Sequence, residues 1–420
     1  MSSPPHAKKP RVNGTAASGR DVCIIGVART PCASLQGKLS ALKVSDLAGI
    51  AIKEAISRAG VASSDVEELI LGHVLSAGAG QAPAKQAALS AGLPHSVVCS
   101  SVNKVCASGM KAVMLGAQSI MLGLRDVVVV GGMESMSQAP HLSKKARSGA
   151  RFGDLVFSDA LQTDGLFDAF ESIPMGDIAE ECARKYNISR ETQDGYAAES
   201  YRRAREATTN GKFKREVIPV QVPAAKHGAT PQIVTEDEEV VARAVDIASL
   251  SKLRPCFQSS EGYGPTVTAG NASPISDGAA ALVLMSREKV EALELSTKIQ
   301  AVVRGFGDAE QEPRSFTTSP ALAIPKALAH AGINQDAVDF FEINEAFAVV
   351  GCANMKLLEL DIAKVNVYGG AVAIGHPLGC SGARIIVTLC SVLHQEGGHI
   401  GCAAVCNGGG GASAIVIEKP

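Results

Sequence analysis

Apolar positions along the chain recur with two periods, and the changes of period mark its organisation. Met110, Val113, Met114, Ala117, Ile120 and Met121 follow helical spacing, and Val127 to Val130 is a continuous β-branched run. Ile385, Ile386, Leu389, Val392 and Leu393 repeat the helical pattern near the C-terminus. Both helices are apolar around most of their circumference, which predicts that they are buried. Strands alternating with such helices imply βαβ units, and the pattern taken alone argues for mostly parallel sheets.

The pattern also repeats. Residues 56–71 read ISRAGVASSDVEELIL and residues 328–343 read LAHAGINQDAVDFFEI, so that Ala59-Gly60 matches Ala331-Gly332 and Val66 matches Val338. Each segment predicts a helix, a glycine C-cap, an acidic turn and a strand. At nearly the same offset, Cys106 to Lys111 (CASGMK) aligns with Gly379 to Arg384 (GCSGAR). Two similar halves, each with its own sheet, are the natural architecture. We place the first half at 21–137, completed by 263–292, and the second at 293–420. Between them, 138–262 is richer in charge, with Lys144, Lys145, Arg147, Arg151 and the acidic run Glu236 to Glu239, and reads as an insertion lying over the core.

Composition changes this picture little. Apolar residues make up 46% and charged residues 20%, as in an ordinary globular chain. A net charge of −2 gives no reason to expect nucleic acid as a partner. No apolar run reaches the roughly 18 residues needed to cross a bilayer. The 11 cysteines are scattered without a CxxC pair, so a disulfide framework is not expected and a reducing compartment is. Residues 1–20 are Ser/Pro/Lys/Ala-rich and free of acids, which reads as a disordered tail. The cytoplasm is the expected location, with mitochondrion or peroxisome as alternatives.

Four motifs carry chemistry. Cys106 stands just before a buried helix, where the macrodipole and free N–H groups favour a thiolate; a buried structural cysteine is the competing reading. His376 sits in GGAVAIGHPLGCSG, residues 369–382, a loop bent by glycines around one imidazole that could deprotonate a thiol. Asn344 and Glu345 follow a predicted strand end. Asn344 could orient a water toward an oxyanion, and Glu345 could be a base or merely a first-turn acid. Cys406 opens CNGGGG, residues 406–411, whose glycines expose N–H groups suited to an oxyanion.

Together VCASGMKA, NEAFA, GGAVAIGHPLGCSGAR and CNGGGGASA, with GVARTP at 26–31 and TVTAGNASPISDGAAA at 266–281, resemble the thiolases over nearly the whole chain from about Asp21. The similarity is greatest to the biosynthetic acetyl-CoA C-acetyltransferase branch of plant cytosolic and mitochondrial type. The resemblance implies the thiolase fold: an α/β architecture of two duplicated βαβ-type halves with mixed sheets packed through buried helices, plus an inserted loop domain that binds CoA. It also implies a Claisen condensation of two acetyl-CoA to acetoacetyl-CoA. Cys106 would carry the acetyl group, His376 would take its proton, and Cys406 would deprotonate the second acetyl-CoA. Asn344 (through water) and His376 would bind one thioester oxygen, and the N–H groups of Cys106 and Gly408 the other.

Further implied contacts are Ser273 with pantetheine and Arg243 near adenine. No cofactor is obligatory. Potassium is implied as an option at Tyr201, Ala269, Gly270, Ala272 and Val372. A homodimer or homotetramer is expected, in mevalonate or ketone-body metabolism. One departure matters: Pro174-Met175-Gly176 stands where many biosynthetic members carry His. That keeps a degradative 3-ketoacyl-CoA thiolase of broader chain length open as the alternative. A CoA- or lipid-binding protein without catalysis is the alternative of another class, and four intact motifs argue against it.

Overall fold

The computed structural model describes residues 20–224, 230–242, 245–259 and 264–420. The tail read for 1–20 lies outside them except for Arg20, and so does Arg243.

Ten strands form one sheet: β1 (Val22–Arg29), β2 (Ala33–Ser34), β3 (Glu68–Gly72), β4 (Val98–Val102), β5 (Val127–Ser135), β6 (Ser276–Ser286), β7 (Ala301–Glu310), β8 (Phe340–Ile343), β9 (Ile400–Asn407) and β10 (Gly411–Glu418). Their order is β8-β9-β10-β7-β1-β6-β5-β3-β4, with β2 paired to β6. The duplication is visible in this order, because β1-β6-β5-β3 and β7-β10-β9-β8 are the same arrangement run outward from the centre. The two half-sheets are not separate. They join where Val22 to Ile24 of β1 pair antiparallel with Val303 to Ala301 of β7.

The parallel pairing expected from the hydrophobic pattern holds only for β3 with β4 and β5, and for β8 with β9. The rest of the sheet is antiparallel. A helical crossover returns the chain in parallel, but β10 follows β9 through the tight turn at Gly408 to Gly410 and therefore runs back against it. Its counterpart β6 runs antiparallel to β5 after the long insertion.

The repeated helices form as their sequences dictate. Helix α1 (Val44–Ala59) ends on Gly60 at φ 72°, and helix α5 (Pro320–Ala331) ends on Gly332 at φ 68°. Both are left-handed caps that glycine adopts without steric cost. Helices α2 (Ser108–Met121) and α7 (Leu378–Gln395) are the two apolar helices, and α7 is buried without a break from Leu378 to Leu393. They touch through glycine: a Cβ on Gly382 would stand 2.5 Å from the Met110 nitrogen, and one on Gly109 would stand 2.8 Å from Gly379 O. This close approach brings the N-terminal ends of the two duplicated helices, and the loops before them, together.

Among the described residues, 136–275 adds no strand to the sheet and lies over it. It contributes helices α3 (Met175–Lys185) and α4 (Arg190–Thr209). Buried polar contacts fasten it down. Arg29 of β1 is fully buried and binds Glu216 Oε1 at 2.7 Å and Asp237 through two nitrogens at 2.7 and 2.9 Å. Helix α6 (Ala348–Leu358) packs against α3 and α4 from the second half.

Candidate active site

Cys106 lies between β4 and α2 on a strained elbow. Val105 before it has φ 48°, a conformation that a β-branched residue adopts only when its surroundings impose it. Asn103 Oδ1 accepts the Val105 N–H at 2.9 Å. Ser108 Oγ accepts the Lys104 N–H at 2.8 Å and donates to Val105 O at 2.6 Å. The elbow sets the thiol at the start of α2, as the sequence predicts. The expected depression of its pKa is corrected, however. Burial pushes the Cys106 thiol up to about 12, against the pull of the N–H groups of Gly408 and of Cys106 itself. Desolvation of a sulfur anion outweighs a helix end here, so the resident form is the thiol and its proton must leave during attack.

A candidate acceptor for that proton is His376. Gly375 before it has φ 120°, and a Cβ there would stand 2.5 Å from Ser276 Oγ, so the turn requires glycine. The His376 N–H is held by Ser276 Oγ at 3.2 Å and Pro274 O at 3.3 Å. Its Nδ1 lies 2.6 Å from Ser381 Oγ, which also lies 2.9 Å from Pro377 O. A carbonyl can only accept, so the serine proton goes to Pro377 and Ser381 Oγ accepts from Nδ1–H. This fixes the tautomer that leaves Nε2 bare. Nε2 is buried and has no partner among the described residues. Burial, aided by the Arg384 charge, lowers the imidazole to about 3, so it rests neutral. Asn344 is fully buried, its Nδ2 is 3.4 Å from the same Nδ1, and its Oδ1 has no partner among the described residues.

Cys406 is the last residue but one of β9 and is fully buried among Ile178, Phe316, Ala346 and Val350. Burial, and next the nearby Cys106 sulfur, push its thiol well above the ordinary value. Gly408 follows in the turn, and Gly409 and Gly410 have φ 86° and 95°. Gly408 lines the same cavity as Cys106, and its N–H pulls the Cys106 thiol downward against burial.

Cys106, His376, Gly408 and Ser273 line one largely apolar cavity of about 320 Å³, while Asn344 and Cys406 are buried and are not among its lining residues. The Ser273 hydroxyl donates to Ala346 O at 2.8 Å, which ties it to the NEAFA segment. Ala269 and Ala272 also line the cavity. Tyr201 and Val372 are buried in one cluster, with Ala272 packed against it. Gly270 lies where a Cβ would stand 2.4 Å from Leu250.

The remaining open reading closes on neither alternative. Glu345 is buried and accepts from Tyr196 Oη at 3.0 Å, Ser200 Oγ and Asn366 Nδ2 at 2.8 Å, and the Val372 N–H at 3.1 Å. A carboxylate with four donors holds α4 to the second half and has no capacity left for proton transfer.

Sequence reading assigned CoA binding to the insertion but did not name the residues it brings to the wall. Leu166, Phe167, Met175, Cys256 and Phe257 come from it, facing Phe316 and Phe347. Only the Pro174-Met175-Gly176 departure pointed there. It also missed Glu134, fully buried on β5, which accepts the N–H groups of Gly379 at 2.9 Å and of Val74 and Leu75 at 3.2 Å. It thereby fixes the start of α7 beneath His376.

Known proteins resemble the chain over nearly its whole length. Family models described as Thiolase, N-terminal domain and Thiolase, C-terminal domain match residues 22–288 and 297–419. Acetyl-CoA acetyltransferase 2 of Arabidopsis thaliana is 56% identical over 399 residues, covering 95% of this chain and 97% of that relative. The acetyl-CoA acetyltransferase of Saccharomyces cerevisiae is 52% identical, covering 95% of this chain and 99% of its own. Among solved structures, the Acat5 thiolase of Ascaris suum in complex with coenzyme A superposes with a TM-score of 0.88 at 46% identity, covering 96% of this chain and 100% of that one. The Bacillus anthracis acetyl-CoA acetyltransferase gives 0.91 at 37%, covering 96% and 99%. With both domain models matched and such identity over nearly its full length, the chain belongs to the thiolase family.

Proposed function

We propose that the protein is an acetyl-CoA C-acetyltransferase that interconverts two acetyl-CoA with acetoacetyl-CoA and CoA. The observation that carries this reading is the meeting of Cys106, the bare Nε2 of His376 and the Gly408 N–H at one cavity. Cys106 attacks the thioester and its proton passes to His376 Nε2. Each shift opposes a lone charge, but transfer creates a thiolate–imidazolium pair whose charges offset one another. CoA departs with the proton of Cys406. The Cys406 thiolate then removes a methyl proton from the second acetyl-CoA. The enolate attacks the acetyl group, and Cys106 leaves and regains its proton from His376. The N–H groups of Cys106 and Gly408 stabilise one oxyanion, and His376 with Asn344 the other, each donor being worth about 2.7–4 kcal/mol of barrier.

Ser273 is the contact for the pantetheine arm, and the insertion supplies the CoA-facing wall. Met175, Phe257 and Phe316 narrow the acyl end, which favours two- to four-carbon acyl groups over the broad degradative range. Thiolysis rates measured against ketoacyl chain length test both readings. Purified protein that cleaves long chains faster than acetoacetyl-CoA would contradict the proposal, as would protein inactive on both.

The neutral oxygens of Tyr201, Ala269, Gly270, Ala272 and Val372 suit a weakly bound monovalent cation, a reading supported by Ala269 and Ala272 lining the cavity and by Ala272 packing against the cluster that holds Tyr201 and Val372. Potassium there would order the CoA-facing wall. Substituting an organic cation for potassium should then raise KM. A homo-oligomer in a reducing compartment, the cytoplasm, completes the proposal. All eleven cysteines are free, which supports the compartment.

A further inference from the structure

Lys104 stands two residues before the nucleophile, and its side chain crosses to the other half of the molecule. Its Nζ donates to Asn407 Oδ1 at 2.9 Å and lies 3.4 Å from Ala412 O. Glu310 Oε1 at 3.1 Å and Asp308 Oδ1 at 3.6 Å flank the ammonium. An ammonium has only donors, so the amide must turn its oxygen to Lys104 and its nitrogen away. That nitrogen donates to Gly408 O at 2.8 Å. A Cβ on Gly411 would stand 2.5 Å from Asn407 Nδ2, so the glycine makes room for the amide. The peptide between Asn407 and Gly408 carries an N–H that acts on the Cys106 thiol, and Gly408 and Cys106 line the same cavity. At its other end the Lys104 backbone is pinned by Ser108 Oγ at 2.8 Å, next to the strained Val105.

We propose that Lys104 is a positioning residue for the reaction, acting through Asn407 to hold the Gly408 N–H at the reacting sulfur. The inference rests on the reading of Cys106 as acyl carrier and Gly408 as oxyanion donor. The nucleophile loop and the oxyanion loop come from different halves, and one side chain fixes the distance between them. Such a donor is effective only if it is held in place before charge develops. A tether of this kind acts on kcat, because the oxyanion exists only in the transition state and the tetrahedral species, and leaves substrate binding nearly untouched.

Neighbouring Lys111 offers the control. It pairs with Asp308 Oδ2 at 2.6 Å in the same charged patch, and among the described residues it has no hydrogen bond to Asn407. In thiolysis of acetoacetyl-CoA, Lys104→Met is expected to lower kcat about tenfold with KM for both substrates within about twofold. Lys104→Arg should retain most of the activity, and Lys111→Met should match the parent. Asn407→Leu should lose as much as Lys104→Met, and the double variant no more than either alone. An unchanged kcat in Lys104→Met, an equal loss in Lys111→Met, a loss carried by KM, or additive losses would each overturn the proposal. Should Lys104→Met not fold, Asn407→Ser is read in its place, and an unchanged kcat there overturns it equally. Acetylation of Cys106 in the parent protein, read by mass spectrometry, separates the cases: its absence would fault the acyl-carrier reading, not the tether.

Discussion

His376 Nδ1 donates to Ser381 Oγ across 2.6 Å, and the serine hydroxyl in turn donates to Pro377 O at 2.9 Å. One short helix turn thus decides which nitrogen of the imidazole is bare. Ser381→Ala removes the acceptor and leaves the buried Nδ1–H without it, a cost of about 1–3 kcal/mol. Part of the population should shift to the other tautomer. The expected outcome is a fall in kcat of roughly 10–100-fold with KM little changed. Steady-state thiolysis kinetics check it.

Stability should depend on pH through the same buried groups. Burial lowers His376 from 6.5 to about 3 and His73 from 6.5 to about 4. A depressed folded value gives stability that is present above 6.5 and lost as the pH falls through the folded values, by up to about 1.4 kcal/mol per pH unit for each histidine. Burial raises Glu134 from 4.5 to about 7, which has the opposite sign: its contribution is present below 4.5 and lost as the pH rises through 7. Between pH 4.5 and 6.5, His376→Asn should therefore flatten the acid-side loss of stability, and Glu134→Gln should steepen it. Denaturant midpoints measured across that range would show both.

Met175 should set the acyl length. A Cβ on Gly408 would stand only 3.6 Å from Met175 Cε, which places the Met175 side chain over the oxyanion turn. Met175→Ala opens the acyl end of the cavity. The ratio of longer-chain ketoacyl-CoA thiolysis to acetoacetyl-CoA thiolysis should rise about tenfold, the worth of one or two methylenes of fit. Competition between two ketoacyl substrates measures the ratio directly.

Much of the core was legible because it is local and repeated. Gly60 and Gly332 announced two left-handed helix caps, and Met110 to Met121 and Ile385 to Leu393 announced two buried helices. The joining of both halves into one sheet was not legible. It rests on three backbone pairs between β1 and β7, which leave no side-chain signature. For the site, Cys106, His376 and Cys406 stood out because glycines surround them where a chain must bend. Lys104 with Asn407 and Glu134 with Gly379 did not, because each pair is far apart in sequence and nothing local to either residue points to its partner. The thiol pKa went the other way from the helix-end argument because burial is a property of the assembled halves, invisible from Cys106 and its neighbours.

The division of labour between the two thiols is the central claim, and Cys406→Ser tests it most directly. The variant is incubated with acetyl-CoA and the peptide bearing Cys106 is examined by mass spectrometry, alongside an assay of acetoacetyl-CoA formation. The account predicts an acetyl group on Cys106 with condensation suppressed by about a hundredfold or more. Equal loss of acylation and condensation, or acetylation of another residue, would contradict it.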